Sequence, residues 1–143
     1  MKMKKRVFMI GTCLLLMIGI IGNASAGYIF TSGKNYQTVT IKDIPNFGRT
    51  KCNLNYGSKK ATTKEFASFK KVKVEAALGN IVRLVDKNKK PKSTTTGLLY
   101  TSQWAGEYGV KKGTTYFAGV TSSIFEPSNK CDVKLKFSAD KLK

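Results

Sequence analysis

The sequence predicts an all-β protein, a small antiparallel β-sandwich or barrel of about seven to eight strands that follows a cleaved N-terminal signal peptide. Apolar and polar residues alternate along most of the chain after residue 26, and clusters of Gly, Asn, Pro and Lys interrupt the alternation at short intervals. Alternation at period two is typical of strands that bury one face, and the interruptions mark turns. Residues 27–143 have the length of one domain with a single core.

Residues 1–26 have the three-part layout of a secretory signal peptide. Four basic residues precede an apolar run over residues 7–21, and Ala24 and Ala26 occupy the small-residue positions before the predicted cleavage site. The run is shorter than the roughly 20 apolar residues that a transmembrane anchor needs. We therefore expect cleavage after Ala26 and a secreted product, residues 27–143, that contains no membrane-spanning segment.

The first half of the predicted domain contains three amphipathic strands and a hairpin. Apolar residues alternate with polar ones around Val39 and Ile41, then over residues 52–56, and then over residues 72–78. Gly79-Asn80 separates the third run from residues 81–85. Because this dipeptide accepts positive φ at low cost, a tight hairpin is predicted there.

One stretch in this half departs from the alternation. Thr62-Thr63-Lys64-Glu65 matches a capping box, and Phe66 and Phe69 follow at helical spacing. One short helical turn near residues 62–69 is therefore predicted between strands.

The second half contains a strand over residues 97–104 and a second hairpin. The hairpin joins residues 107–111 to residues 114–120 and turns near Lys112-Gly113. The last strand has the clearest alternation, with one apolar face formed by Cys131, Val133, Leu135 and Phe137.

Cys52 and Cys131 are the two cysteines that remain after cleavage, and each lies on an apolar strand face. In an exported protein an even pair of cysteines indicates a disulfide. A structural zinc ion normally requires four Cys or His ligands, which this chain does not supply. A disulfide between Cys52 and Cys131, and neither metal nor cofactor, is the prediction.

The sequence argues against the common hydrolytic sites. It contains no histidine, which excludes the triads and dyads that depend on one. Ser68-x-x-Lys71 matches the S-x-x-K pattern of penicillin-recognising enzymes, but the S-D-N and K-T-G partners are missing. The eight acidic residues are scattered without a motif. We therefore expect no enzymatic activity.

Basic residues dominate the charge. The whole chain has a formal charge of +18, and removal of residues 1–26 takes away four basic residues and no acidic one, which leaves +14. Such an excess draws a protein to polyanions. The candidate polyanion-binding residues cluster at predicted turns and strand entries: Lys59, Lys60, Lys70, Lys71, Lys73, Lys87, Lys89, Lys90, Lys92, Lys111 and Lys112. The alternative is that these lysines only solvate the sheet and protect its edges from pairing.

Aromatic residues supply a second kind of candidate. Tyr100, Trp104, Tyr108, Tyr116 and Phe117 lie within a short span. Most fit the alternation as core or cross-strand partners. Trp104 and Tyr108 are the candidates for an exposed ring that stacks on a ligand.

These observations favour a secreted, non-enzymatic binding module. Its expected partners are an anionic cell-wall polymer, an anionic lipid surface or an acidic protein, and export makes nucleic acid a less natural ligand. The alternative is a secreted antimicrobial or toxin-like protein that acts on anionic membranes, although the long basic amphipathic helix that would favour it is missing.

Overall fold

The computed structural model describes residues 27–128 and 130–143, and the predicted signal peptide lies outside the described residues. The described residues form ten strands and no helix, which confirms the all-β prediction and raises the strand count from the expected seven or eight. The strands are β1 (Ile29–Ser32), β2 (Gln37–Pro45), β3 (Thr50–Cys52), β4 (Tyr56–Lys59), β5 (Phe66–Val74), β6 (Asn80–Val85), β7 (Thr96–Gly97), β8 (Gln103–Gly106), β9 (Thr115–Ser122) and β10 (Lys130–Ser138).

Two sheets make up a β-sandwich-like architecture. The first has the order β1-β4-β9-β6-β7, with β3 also paired to β9, and the second has the order β2-β10-β5-β8. The pairing of β1 with β4 is parallel, and every other pair among these described strands is antiparallel. Connections that cross from one sheet to the other hold the two together.

The core lies between the sheets and follows from the alternation. Cys131, Val133, Leu135 and Phe137 all point inward from β10, as predicted, and all are buried. Val39, Ile41, Phe69, Leu84 and Val120 belong to the same buried cluster. Burying side chains of this size stabilises the fold by about 1.5–3 kcal/mol each.

The strand register places the connecting loops at two opposite ends. Pro45 pairs with Lys130, and Asn80 pairs with Ser122, so the loops over residues 46–49, 75–79 and 123–128 meet at one end. We call this the 123–128 end. At the other end, which we call the 86–95 end, the pairing of Val85 with Phe117 places residues 86–95 near residues 107–114.

The predicted hairpin at Gly79-Asn80 is wrong, although the turn itself exists. Gly79 has a φ of +74°, but β5 pairs with β10 and β8 in the second sheet, whereas β6 pairs with β9 and β7 in the first. The five residues between β5 and β6 carry the chain from one sheet to the other. Ala77 and Leu78 donate their backbone N–H groups to the buried Glu126 carboxylate, and this long-range contact outweighs the local turn signal.

A β-bulge in β5 also changes the predicted strand face. Leu135 pairs with Lys71 and Lys134 pairs with Lys73, so Val72 is an extra residue with no counterpart. An extra residue reverses the inward and outward alternation beyond it. Val72 itself is consequently exposed, whereas Val74 and Ala76 beyond it pack against the core cluster, as the alternation predicted. Leu78 is exposed because it lies in the connection after β5.

The predicted helical turn near residues 62–69 is absent. The Thr62 hydroxyl donates to the Asp140 carboxylate, and the Thr62 backbone N–H donates to the same side chain at 3.0 Å. The hydroxyl also accepts from Lys64 N–H at 3.3 Å, which makes a local bend. Phe66 then begins β5 by pairing with Gly106, so the chain continues as a strand and not as a helix.

The second half of the chain is more broken than predicted. Residues 97–104 contribute to two short strands, β7 and β8, rather than one. The predicted turn at Lys112-Gly113 is present, with a φ of +86° at Gly113, but it leads from an irregular segment into β9. Thr114 N–H donates to the Lys111 carbonyl within the turn, and Gly113 N–H donates to the Lys60 carbonyl just beyond β4. Residues 107–111 form no strand, so the predicted second hairpin is wrong.

The predicted disulfide between Cys52 and Cys131 is not found, because both thiols are free. Cys131 lies in β10 of the second sheet, with its Sγ 3.8 Å from the Ile44 carbonyl. Cys52 lies in β3 of the first sheet, opposite Gly119. Burial raises the pKa of both thiols, which disfavours the reactive thiolate.

Candidate polyanion-binding face

The exposed side of the second sheet presents four lysines in opposed pairs. Lys70 of β5 pairs with Lys136 of β10, and Lys73 pairs with Lys134 in the same two strands. All four side chains are exposed. We call these four residues the lysine face.

The lysine face arises from alternation in two strands that are far apart in sequence. Phe69 of β5 points into the core, and so do Leu135 and Phe137 of β10. The lysines that follow or alternate with them therefore point away from the core. Neighbouring strands lie about 4.7–4.9 Å apart, and alternate residues along one strand lie roughly 6.5 Å apart. The backbone positions of the four lysines therefore form a small grid on the exposed side of the sheet.

The β-bulge at Val72 extends this grid. Without the extra residue, regular pairing would place Val72 opposite Lys134. With the extra residue, Lys73 lies opposite Lys134. Lys71, which precedes the extra residue, places its Nζ 4.2 Å from the centre of the Tyr100 ring. Bulges commonly re-aim a side chain in this way.

Little in the described chain neutralises the lysine face. Like charges directly opposite each other on a sheet are destabilising. Among the described residues only one of the four lysines, Lys73, has a carboxylate within 4.0 Å, that of Glu75 at 3.9 Å, and both side chains of this pair are largely exposed. On the other side of β10, Thr38 and Thr40 pair with Lys136 and Lys134 and flank the grid with hydroxyl groups.

Three other predicted lysines meet at the 86–95 end. Lys87, Lys92 and Lys111 line a cleft of about 460 Å³ whose apolar wall includes Phe30 and Phe117. The Asp86 carboxylate lies 4.0 Å from Lys92 Nζ and partly balances this charge. The sequence placed Lys87 and Lys92 in one connection and Lys111 in a later turn, and the fold brings the three together.

The remaining predicted lysines divide into exposed and buried ones. Lys59, Lys89, Lys90 and Lys112 are exposed and remain candidates for long-range attraction. Lys60 is buried, contrary to the prediction, and its Nζ donates to Glu107 Oε2 at 2.6 Å and to the Ala139 carbonyl at 2.7 Å. It therefore cannot contact a polymer.

The two predicted stacking residues differ in how free their rings are. Trp104 is 46% exposed, but its Nε1 donates to the Leu142 carbonyl, and Lys141 Nζ lies 4.3 Å from its ring centre. Tyr108 is 51% exposed. Tyr116 and Phe117 are buried core residues, as the alternation indicated.

The S-x-x-K pattern does not assemble a serine–lysine pair. Ser68 is buried, its hydroxyl donates to the Asp140 carbonyl at 2.8 Å, and it accepts from Leu142 N–H at 2.7 Å. Lys71 is three residues along a strand and engages Tyr100. Within residues 27–128 and 130–143, no group of three or more Cys, Asp or Glu residues is arranged to hold a metal ion.

Sequence reasoning missed Lys134 and Lys136. Alternation places both on the side of the last strand opposite its apolar face, which is correct. They belong to the candidate site because they pair with Lys73 and Lys70 of β5. No local pattern reports the pairing of strands separated by more than fifty residues. The available signal was that two strands each carry alternate lysines on one face.

Fold and surface together define a small all-β protein with one strongly basic sheet face. No family model, curated protein or solved structure matches the chain. In the part of the chain that the structure describes, no helix is both long and apolar enough to cross a membrane.

Proposed function

We propose that this protein is a secreted, non-enzymatic module that binds a linear anionic polymer of the cell surface or surroundings through the lysine face. The observation that carries the proposal is the direct opposition of Lys70 to Lys136 and of Lys73 to Lys134 on an exposed sheet. Sheets ordinarily avoid opposed like charges, because the repulsion costs stability. A polymer whose anionic groups repeat along its length would remove that repulsion on binding.

The geometry suits a polymer better than a single small anion. The four lysines lie on a flat strand surface and not in a pocket, so each contributes a weak, solvent-exposed contact. Several such contacts made at once give useful affinity, and the net charge of the chain accelerates the encounter. Thr38 and Thr40 can add hydrogen bonds to phosphate, carboxylate or sugar oxygens beside the lysines.

Binding to long-chain polyphosphate and to poly-glutamate, measured over a salt series, tests the proposal. We expect the Lys70→Gln/Lys136→Gln variant to bind about 2- to 30-fold more weakly than the wild type, because two exposed ionic contacts are removed. The dependence of affinity on salt should also become shallower, since fewer counterions are released.

A variant with the same loss of charge elsewhere is the control. Lys112→Gln/Lys143→Gln removes two exposed lysines that are outside the lysine face. This variant should bind almost as tightly as the wild type. Equal weakening in the two double variants would show that net charge alone drives binding, and binding that is insensitive to salt would contradict the electrostatic account altogether.

The secreted location is part of the proposal and is supported by the layout of residues 1–26. Expression of the full chain in an export-competent host should yield protein in the medium or at the cell surface. N-terminal sequencing should then begin at Gly27. Recovery of the intact chain from the cytosol would contradict this location.

A further inference from the structure

Five large apolar side chains are exposed together at the 123–128 end. Phe47, Leu78, Leu99, Ile124 and Phe125 are each more than half exposed, and Phe125 reaches 77%. They come from four separate connections between strands. Contiguous exposed apolar surface on a small domain marks a site of interaction with a partner or a membrane.

A groove of about 730 Å³ is lined by three of these five side chains. Its apolar lining includes Leu78, Ile81, Leu99 and Ile124, and its basic lining consists of Lys71 and Arg83. The described lining residues include no Asp or Glu. Apolar and cationic groups therefore share one concave surface. The buried Nε of Arg83 has no hydrogen-bond partner among the described residues.

The loops that carry these apolar side chains are held in place. The buried Glu126 carboxylate accepts hydrogen bonds from Ala77 and Leu78 N–H groups and from Ser128 N–H, which ties two loops together. A Cβ atom at Gly48 would lie 2.9 Å from Ile124 Cγ2, so a third loop packs closely against them. Loops whose backbones are already held in place lose less entropy when they bind another surface.

We propose that the 123–128 end docks onto an anionic lipid bilayer, with Phe47, Ile124 and Phe125 in the interfacial layer and Lys71 and Arg83 against the phosphate groups. Apolar burial together with attraction to anionic lipid is what binds proteins at this interface. This surface uses none of the four residues of the lysine face, so it is independent of the proposed function.

Charge favours a bilayer over a second copy of the chain as the occupant. Self-association through this end would bring Lys71 and Arg83 of two copies together, whereas anionic head groups complement them. Of the carboxylates nearby, Asp132 accepts a hydrogen bond from Asp43 N–H, and Glu75 lies 3.9 Å from Lys73 Nζ.

Sedimentation with vesicles tests the docking. The protein, produced from the full chain, is mixed with vesicles of phosphatidylglycerol and phosphatidylcholine in equal parts or of phosphatidylcholine alone. We expect binding to the anionic vesicles and at least about tenfold weaker binding by Phe47→Asn/Phe125→Asn, because two inserting rings are lost. Asn is chosen because Phe47 has a φ of +62°, which Asn tolerates.

The matched control removes two exposed rings elsewhere. Tyr28→Asn/Tyr108→Asn changes residues that are 69% and 51% exposed and lie outside the 123–128 end. The control should bind anionic vesicles as the wild type does. Equal binding by Phe47→Asn/Phe125→Asn and the wild type would overturn the proposal, as would a dimer of the wild type that this variant dissociates.

Insertion can be separated from simple electrostatic adsorption by fluorescence. Trp104 is the single tryptophan, and it is far from this end, in β8 next to the C-terminal segment. With brominated lipids in the anionic vesicles, the emission of Phe125→Trp should show quenching that the wild type does not. Vesicle binding without this additional quenching would mean that the lysines adsorb the protein and that the apolar end does not insert.

Discussion

Lys60 Nζ lies 2.6 Å from Glu107 Oε2 in the interior, and only 2% and 1% of the two side chains are exposed. Asp140 Oδ1 lies 3.4 Å from the same ammonium group, so one buried cation faces two carboxyl groups. Although burial opposes it, hydrogen bonds from Thr62 and from Ala61 N–H lower the pKa of Asp140. Asp140 is therefore ionised, and a charged Glu107 would have to share the single Lys60 cation with it.

Glu107 should make the stability of the fold depend on pH near neutrality. Burial raises the pKa of Glu107 to about 7, and its Oε1 has no hydrogen-bond partner among the described residues. The folded state thus holds a proton that the unfolded state releases near pH 4.5. Stability from this group is complete below that pH and declines as the pH rises through 7, by up to about 3 kcal/mol.

Thermal unfolding between pH 5 and pH 8 measures this effect with little interference, since the chain has no histidine. The wild type should lose thermal stability as the pH rises across this range. Glu107→Gln mimics the protonated acid and should flatten the profile. A decline of the same size in Glu107→Gln would assign it to another group.

Replacement of Lys60 by methionine should destabilise the protein strongly at pH 8. Met preserves much of the volume of the Lys side chain, but Glu107 and Asp140 would then be buried together without a cation. Breaking a buried ion pair in this way costs about 3–5 kcal/mol. Urea unfolding gives the loss, and Lys60→Met/Glu107→Gln should recover part of it because one of the two carboxylates is removed.

Gly33 should be intolerant of any side chain. A Cβ atom there would lie 1.8 Å from Asp140 Oδ2 and 2.9 Å from the Lys59 carbonyl oxygen. Gly33→Ala should therefore cost about 1–3 kcal/mol of unfolding free energy by displacing the Asp140 carboxylate. Gly97→Ala in β7 is the control, because nothing lies within 4 Å of its Cβ position. Similar stabilities of the two variants in urea would contradict the close packing described for Gly33.

Glu126 should stabilise the 123–128 end at neutral pH. Hydrogen bonds, first of all from Leu78 N–H, lower the pKa of Glu126 below its ordinary value. This stability is present above the pKa of the unfolded state and disappears as the pH falls through the folded pKa. Glu126→Gln should therefore unfold at a lower temperature than the wild type at pH 7, and the difference should shrink in acid.

Hydrogen exchange locates the effect of Glu126. The backbone amides of Ala77 and Leu78 should exchange faster in Glu126→Gln, because they lose a charged acceptor. Glu65→Gln changes an exposed carboxylate at the opposite end and serves as the control. If exchange at Ala77 and Leu78 were unchanged, Glu126 would not be what holds that loop.

The alternation of apolar and polar residues predicted burial best for a strand that lies between two others in its sheet. The alternation of Cys131, Val133, Leu135 and Phe137 predicted their burial correctly, because β10 is central in its sheet. The same reasoning failed for Val72, which is the extra residue of the bulge in β5, and for Leu78, which lies in a connection and not in a strand. It also failed after Thr62, where Phe66 pairs with Gly106 in a strand instead of continuing a helix.

The lysine face was also predictable from the sequence only in part. Lys70 and Lys73 were named from the sequence, but Lys134 and Lys136 acquired their significance only through strand register. Lys60 was named as a surface residue from its basic neighbour Lys59. Its burial beside Glu107 depends on a contact between residues 47 positions apart in sequence.

By itself, the sequence determined the all-β class, the large positive charge and the faces of the more regular strands, because period-two alternation and composition are local properties. Only the tertiary structure decided which strands pair, where the lysines oppose one another and which apolar loop residues share one end. Those features depend on contacts such as Glu126 with Leu78 and Thr62 with Asp140. Their free energy exists only when distant segments meet, so no short stretch of sequence can report them.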